Sequence, residues 1–210
     1  MSPTADDIEQ IVAASMTVFG WREGGALTEI ALASWGLRDD ATIVESGVFM
    51  GRSTALLAGA RRLRGSGKVH CVDPFDCSGD AFSIPHYLQA LKAAGSDSLE
   101  EVFRRNMTRL GIEPWIELHR GRSQDVATRW ATSIDLLLLD GDQSPTGARE
   151  AYEAWMPHLR RDGVIILGNV HDHPNEGHDG NSRLAVEELI PPQHSGIRRV
   201  GSTVFAIKEF

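Results

Sequence analysis

The sequence predicts an α/β protein built on a doubly wound, mostly parallel sheet with helices on both faces. From Thr42 onward, short apolar runs alternate with segments of helical periodicity, which is typical of β-α-β units. Most of the apolar runs are nearly continuous, as expected for strands that are buried on both faces. Near the C-terminus, Gly201-Ser202 joins two strand-like runs and predicts an antiparallel hairpin that closes the sheet.

Two helical segments, 5–19 and 26–35, form an N-terminal cap over residues 1–40 that can cover the sheet edge, the substrate or a second subunit. Apolar runs predict strands over 42–45, 68–72, 115–119, 134–139 and 164–167. Helical spacing predicts helices over 52–63, 124–130, 144–159 and 182–189, before hairpin strands over 197–200 and 203–207.

Composition excludes several classes of protein. A chain of 210 residues with 41% apolar content fits one domain, residues 1–210. The acidic N-terminal stretch does not resemble a secretory signal and no apolar run reaches the ~20 residues that span a bilayer, so we expect a cytoplasmic protein without a membrane segment. Two cysteines, Cys71 and Cys77, are too few for a disulfide framework or a four-cysteine zinc site. The net charge of -8 argues against nucleic acid and favours a small-molecule partner.

A tight glycine turn ends the first predicted strand. Gly47 and Gly51 let the backbone approach a ligand closely because they lack a Cβ atom. Their G-x-x-x-G spacing follows the carboxylate Glu45, whereas a pyrophosphate site uses G-x-G-x-x-G at a helix N-terminus. The turn therefore favours a ligand that carries a cationic group, and a purely structural turn is the alternative.

Asp73 is the first residue after the second predicted strand. An acidic residue at this strand tip can accept hydrogen bonds from both hydroxyls of a ribose. The alternative is a turn or cap residue before Pro74.

Four segments in order carry a resemblance to a known family: Ile-Val-Glu-Ser-Gly-Val-Phe-Met-Gly-Arg-Ser-Thr (43–54), Val-Asp-Pro (72–74), Gly-Arg-Ser-Gln-Asp (121–125) and Ile-Asp-Leu-Leu-Leu-Leu-Asp-Gly-Asp (134–142). Residues 41–190 resemble small class I S-adenosylmethionine-dependent O-methyltransferases, including catechol O-methyltransferase-like and sugar- or antibiotic-tailoring enzymes. The resemblance implies the methionine end of the cofactor at Glu45, Gly47 and Ser53, its ribose at Asp73, its adenine at Ser123 and Gln124, and its reacting methyl group at Asp140. Ser123 can alternatively cap the helix that follows it.

Transfer to a hydroxyl requires a positioned acceptor and removal of its proton, by a divalent metal or by a side-chain base. Asp140 and Asp142 have one residue between them at a strand end, so their side chains leave on one face and can share a metal such as Mg²⁺ or a substrate hydroxyl. Asn169, after the next strand, matches a ligand position of the resembled family. We therefore predict Asp140 and Asn169 as the metal ligands.

Two positions depart from the resembled family. Gln143 stands where relatives often carry His or Lys, and Gly168 stands beside Asn169 without a side chain. The loop that follows holds His171, Asp172, His173, Glu176, His178 and Asp179. It is interpreted either as a solvated connection or as an active-site lid with His171 as general base or metal ligand.

The resulting hypothesis is methylation of a hydroxyl on a small molecule such as a sugar or a natural-product intermediate. One alternative keeps the cofactor but with N-methylation or no transfer, and another is an NAD-dependent oxidoreductase, which the missing G-x-G-x-x-G and the terminal hairpin disfavour. His70, His119 and His158 are expected to be structural. A homo-oligomer formed through the N-terminal helices is a further prediction.

Overall fold

The computed structural model describes residues 3–22 and 24–210, which fold around one sheet of seven strands. The strands are β1 (Thr42–Ser46), β2 (Lys68–Asp73), β3 (Ile116–Arg120), β4 (Ile134–Leu139), β5 (Leu159–Leu167), β6 (His194–Val200) and β7 (Thr203–Lys208). The sheet order is β3-β2-β1-β4-β5-β7-β6, with β1 to β5 parallel and β7 antiparallel to both of its neighbours. The predicted fold class, including the antiparallel hairpin, is confirmed.

Helices cover both faces of the sheet. They are α1 (Ala5–Met16), α2 (Gly25–Trp35), α3 (Arg52–Arg64), α4 (Ser83–Ala93), α5 (Leu99–Leu110), α6 (Ser123–Ala127), α7 (Pro145–Trp155) and α8 (Gly180–Glu187), with a 3₁₀ turn at Glu113–Trp115. Residues of α1, α2, α3 and α5 pack in one apolar cluster, and residues of α6, α7 and α8 pack in a second cluster. Successive strand residues alternate between the clusters, as Ile43 and Val44 do, because side chains of a strand point to opposite faces.

Some boundaries differ from the predicted ones. The helix predicted over 144–159 ends at Trp155, because Leu159 already pairs with Ile134 and begins β5. Trp115 belongs to the 3₁₀ turn rather than to β3. Helices α4 and α5 were not predicted, although α5 has a Ser98 cap and a strongly amphipathic pattern.

The predicted N-terminal cap shares the main core. Ile8 and Ile11 of α1 and Leu27 and Ile30 of α2 are buried in the same cluster as α3. No helix among residues 3–22 and 24–210 combines the length and apolar character needed to cross a membrane. Association through α1 and α2 and a cytoplasmic location stay predictions.

Candidate active site

A cleft opens at the carboxyl ends of β1, β2 and β4, where the order of the parallel strands reverses. Ligands of open α/β sheets bind at this position. Its lining includes five of the predicted site residues: Gly47, Asp73, Ser123, Gln124 and Asp140. A smaller pocket adjoins it, and both pockets are bordered by Gly47, Phe49, Tyr87 and Asp140.

The glycine turn brings two loops into backbone contact. Gly47 has φ +85°, and a Cβ atom there would overlap the Cα of Gly141 in the loop after β4. Gly51 has φ +96°, but a Cβ atom there would instead overlap the side chain of Met107 on α5. Gly47 thus shapes the floor of the main cleft, whereas Gly51 allows α5 to pack closely against the start of α3.

Glu45 lies under the turn rather than in the open cleft. Its carboxylate is fully buried and accepts hydrogen bonds from the hydroxyls of Ser53 and Thr54, the latter at 2.6 Å. Burial raises the pKa of Glu45 to about 7, against the opposing effect of these two hydrogen bonds. Glu45 therefore fixes the first turn of α3, and Ser53 lines the smaller pocket. Contact of Glu45 with the methionine end of a cofactor stays a prediction.

The raised pKa of Glu45 gives a prediction for stability. An unfolded glutamate titrates near pH ~4.3, so between that pH and about 7 the unfolded chain releases a proton that the native state keeps. The free energy of unfolding should therefore fall as pH rises through this window, by a contribution on the order of 3 kcal/mol. Glu45→Gln should remove this contribution. Urea unfolding of both proteins at about pH 5 and about pH 8 measures it, and an equal fall in both would contradict the raised pKa.

Asp73 holds the two flanking loops by their backbone. Its carboxylate oxygens accept hydrogen bonds from the N–H groups of Phe49 at 3.0 Å and Phe75 at 2.7 Å. Burial raises the pKa of Asp73, and these hydrogen bonds partly oppose the rise. A carboxylate oxygen can accept more than one hydrogen bond, so Asp73 can still accept from a ligand in the cleft that it lines. The turn role of Asp73 is therefore compatible with the predicted ligand role, which stays a prediction.

Ser123 and Gln124 also line the main cleft. The Ser123 hydroxyl lies 2.7 Å from the Ser46 Oγ atom and accepts a hydrogen bond from the Trp155 indole at 2.9 Å. Ser123 is the first residue of α6 and not its cap, since Arg122 occupies that position. The Gln124 amide donates to Glu150 at 2.9 Å near the surface.

Asp140 is paired with a residue that the sequence did not single out. Arg22, from the segment between α1 and α2, donates to Asp140 Oδ2 at 2.8 Å, and Asn169 donates to Oδ1 at 3.3 Å. Burial raises the pKa of Asp140, and the positive charge of Arg22 opposes that rise. A Cβ atom on Gly168 would overlap both Asp140 and Arg22, so the missing side chain at this position makes room for the ion pair.

This arrangement does not fit a divalent cation between Asp140 and Asn169. One carboxylate oxygen already binds the Arg22 guanidinium, and that positive charge would repel a second cation nearby. Asp142 accepts a hydrogen bond from the Ser144 N–H at 2.8 Å, at the start of α7. The predicted metal site would require Arg22 to move away, and it stays a prediction.

In the loop after Asn169, the histidine that points into the protein is His178 and not the predicted His171. His171 is exposed, and its backbone N–H donates to Ser182 Oγ at 3.0 Å. His178 is mostly buried, with its Nδ1 atom 3.0 Å from Asp80 Oδ1 and its ring against Phe82 at 4.7 Å. Burial acts to raise the pKa of Asp80, but hydrogen bonds from Ser83 and the nearby His178 outweigh it and lower that pKa. Asp80 was missed because it lies in a loop before the unpredicted helix α4.

An aromatic group stands at the border of the two pockets. Trp21 lies 5.0 Å from Phe49 and 5.6 Å from Tyr87 between ring centres, and Phe19 packs edge-on against Trp21. Phe19 and Trp21 are each 49% exposed, so these rings offer an apolar wall to a ligand. Burial also raises the pKa of Tyr87, which keeps its hydroxyl protonated near neutral pH.

The fold is shared with solved methyltransferase structures. The O-methyltransferase TomG from Streptomyces achromogenes, involved in tomaymycin synthesis and solved with SAM, matches with 16% identity over 100% of this chain and 92% of its own, at a TM-score of 0.65. An O-methyltransferase from Bacillus cereus, solved with SAH, matches with 17% identity over 100% and 93%, at 0.61. An rRNA methylase from Streptococcus thermophilus matches with 14% identity over 91% and 100%, at 0.59. At such identities these matches show the fold alone.

The amino-acid sequence of this chain also matches a family model. The model described as a methyltransferase domain matches residues 44–170, more than half of the chain. The matched span contains Gly47, Asp73, Ser123 and Asp140, which meet in the main cleft. The predicted resemblance to class I methyltransferases is confirmed, and this chain belongs to the methyltransferase domain family.

Proposed function

We propose that this protein methylates a hydroxyl group of a small molecule, with S-adenosylmethionine as methyl donor. The observation that carries the proposal is the convergence of Gly47, Asp73, Ser123 and Asp140 on one cleft at the carboxyl ends of β1, β2 and β4. When bound, S-adenosylmethionine supplies a methyl group made electrophilic by its sulfonium. The net charge of -8 supports a small-molecule acceptor over a nucleic acid.

The residues of the cleft fit this cofactor. Asp73 would accept hydrogen bonds from the ribose hydroxyls, and Ser123 with Gln124 would border the adenine, since all three line the main cleft. Gly47 keeps the floor free of side chains, and Ser53 borders the methionine end in the smaller pocket. The Asp140 carboxylate provides negative charge in the wall that both pockets share.

The acceptor binds against the aromatic wall of Phe19, Trp21, Phe49 and Tyr87. In this proposal Arg22, rather than a metal, supplies positive charge beside the acceptor oxygen. Arg22 is held by Asp140 and is only 9% exposed, so its position is fixed before the acceptor binds. The Arg22 N–H groups that face the smaller pocket then orient the hydroxyl for attack on the methyl carbon.

His178 is the proposed general base. Asp80 is buried and accepts from His178 Nδ1, which leaves Nε2 as the unprotonated nitrogen that can take the proton of the acceptor hydroxyl. The backbone N–H of Gln143, in the loop that follows Asp140, donates to Asp80 at 3.4 Å, which supports a position of the Asp80–His178 pair beside that loop. His171, the base predicted from the sequence, remains the alternative within the same loop.

A pair of variants from this loop tests the base. His178→Asn should lower the rate of methyl transfer by roughly 100-fold or more while leaving S-adenosylhomocysteine binding intact, because it removes a proton acceptor but no cofactor contact. His171→Ala is the matched control and should keep the wild-type rate. Transfer of labelled methyl from S-adenosylmethionine to a panel of hydroxylated sugars and phenols provides the assay. The opposite ranking of the two variants would restore His171 as the base.

The same assay separates the wider alternatives. Activity that persists in a chelator supports Arg22 over a metal, and activity on amines alone would replace O-methylation with N-methylation. In a thermal shift experiment, stabilisation by S-adenosylhomocysteine and not by NAD⁺ is expected, since a ligand that binds only the native state raises the melting temperature. Stabilisation by NAD⁺ alone would overturn the cofactor assignment.

A further inference from the structure

Two histidines and a glutamate meet on one face of strands β2 and β3, and none of the three lines either pocket of the candidate active site. His70 of β2 is directly opposite Glu117 of the edge strand β3 in the strand register. Glu117 and His119 are two residues apart on β3, so all three side chains leave on one face of the sheet. The sequence predicted structural roles for these histidines, because the pairing of β2 with β3 cannot be read from their spacing.

The three side chains converge at metal-ligand distances. His70 Nδ1 lies 3.0 Å from His119 Nε2. The Glu117 carboxylate has one oxygen 3.8 Å from His70 Nδ1 and the other 3.6 Å from His119 Nε2. Ligand atoms of a tetrahedral zinc ion with bonds of 2.0–2.1 Å lie about 3.3 Å apart. The observed triangle thus needs only small side-chain rotations to enclose an ion.

The surroundings orient the two imidazoles and leave the site open to solvent on one side. The Trp130 indole packs edge-on against both imidazoles, at 4.8 Å from the His70 ring and 5.6 Å from the His119 ring. Glu117 is 52% exposed, and this leaves an entry path and a place for a water as fourth ligand.

We propose that His70, Glu117 and His119 form a binding site for a divalent transition metal, for which Zn²⁺ is the best match in ligand type. Two imidazoles and a carboxylate are ligands that zinc prefers in proteins. The ion would tie the edge strand β3 to β2, just before the turn that leads from Arg120 to Ser123 at the cofactor cleft. This proposal does not rest on the proposed methyl transfer. A direct hydrogen bond between the two rings is the competing explanation, and it predicts no metal affinity.

Calorimetric titration of the full-length, chelator-treated protein with Zn²⁺ tests the proposal. One equivalent of Zn²⁺ should bind and raise the melting temperature. Glu117→Gln, which keeps the shape of a half-exposed side chain, and His119→Ala should each weaken binding by roughly 100-fold or more, since even outer-shell partners of a metal contribute 10–100-fold. Co²⁺ in place of Zn²⁺ should give the visible absorption of four-coordinate cobalt in the wild type and lose it in both variants.

A control removes two exposed histidines of the loop after β5. The double variant His171→Ala/His173→Ala should bind Zn²⁺ as the wild type does. Circular dichroism of each metal-free variant checks that the fold is kept; if His119→Ala unfolds, Glu117→Gln alone decides. Wild-type protein that takes up no Zn²⁺, or unchanged affinity in Glu117→Gln, would overturn the site, as would loss of binding in the loop double variant.

Discussion

Replacing Asp73 with alanine is expected to weaken S-adenosylhomocysteine binding by roughly 100-fold or more. In the proposed complex, the variant loses two charge-assisted hydrogen bonds to the ribose hydroxyls, each of about 1.5–3 kcal/mol. Tenfold in affinity corresponds to about 1.4 kcal/mol. It also leaves the N–H groups of Phe49 and Phe75 without their carboxylate partner, which loosens both loops around the cleft. Calorimetric titration with S-adenosylhomocysteine measures the loss.

Asp76→Ala is the matched control for this prediction. Asp76 is an exposed aspartate three positions after Asp73 in the chain. Its carboxylate accepts a local hydrogen bond from the Ser78 N–H at 2.8 Å. The control should bind S-adenosylhomocysteine as the wild type does. Equal affinities of the Asp73→Ala and wild-type proteins would show that Asp73 is only a turn residue and would remove the ribose assignment.

Gly47→Ala is expected to reduce the free energy of unfolding by about 3 kcal/mol or more. The new Cβ atom would stand in a left-handed conformation, which costs roughly 1–2 kcal/mol, and would overlap the backbone of Gly141, for which overpacking costs about 1–3 kcal/mol. Because backbone atoms cannot rotate away, the loops after β1 and β4 must separate. Cofactor binding should therefore be lost together with stability.

Gly65→Ala is the control, because it introduces the backbone strain of a left-handed residue without a steric overlap. Gly65 ends α3 with φ +80°, close to the value at Gly47, yet a Cβ atom there would meet no atom within 4 Å. Its cost should be confined to the strain of roughly 1–2 kcal/mol, with cofactor binding unchanged. Urea unfolding measures both variants. Similar losses for the two glycines would mean that the contact between Gly47 and Gly141 is unimportant.

The part of the site predicted from the sequence lies next to strand ends. Gly47 and Asp140 directly follow β1 and β4, and Asp73 is the last residue of β2. Parallel strands present their carboxyl ends at one edge of the sheet. The local sequence pattern therefore predicts that these three residues lie near one another. Helix α5 was missed although its Ser98 cap and amphipathic pattern are local signals that could have predicted it.

The fold class, the terminal hairpin and the strand-end residues that meet in the main cleft could be predicted from the amino-acid sequence, because hydrophobic periodicity and glycine turns are local signals. Three pairings are visible only in the folded chain: Arg22 with Asp140 beside Gly168, His178 rather than His171 with a buried carboxylate, and His70 with His119. These pairs join residues far apart in the chain. Their contacts depend on how loops and neighbouring strands pack, and no spacing within one segment encodes that packing.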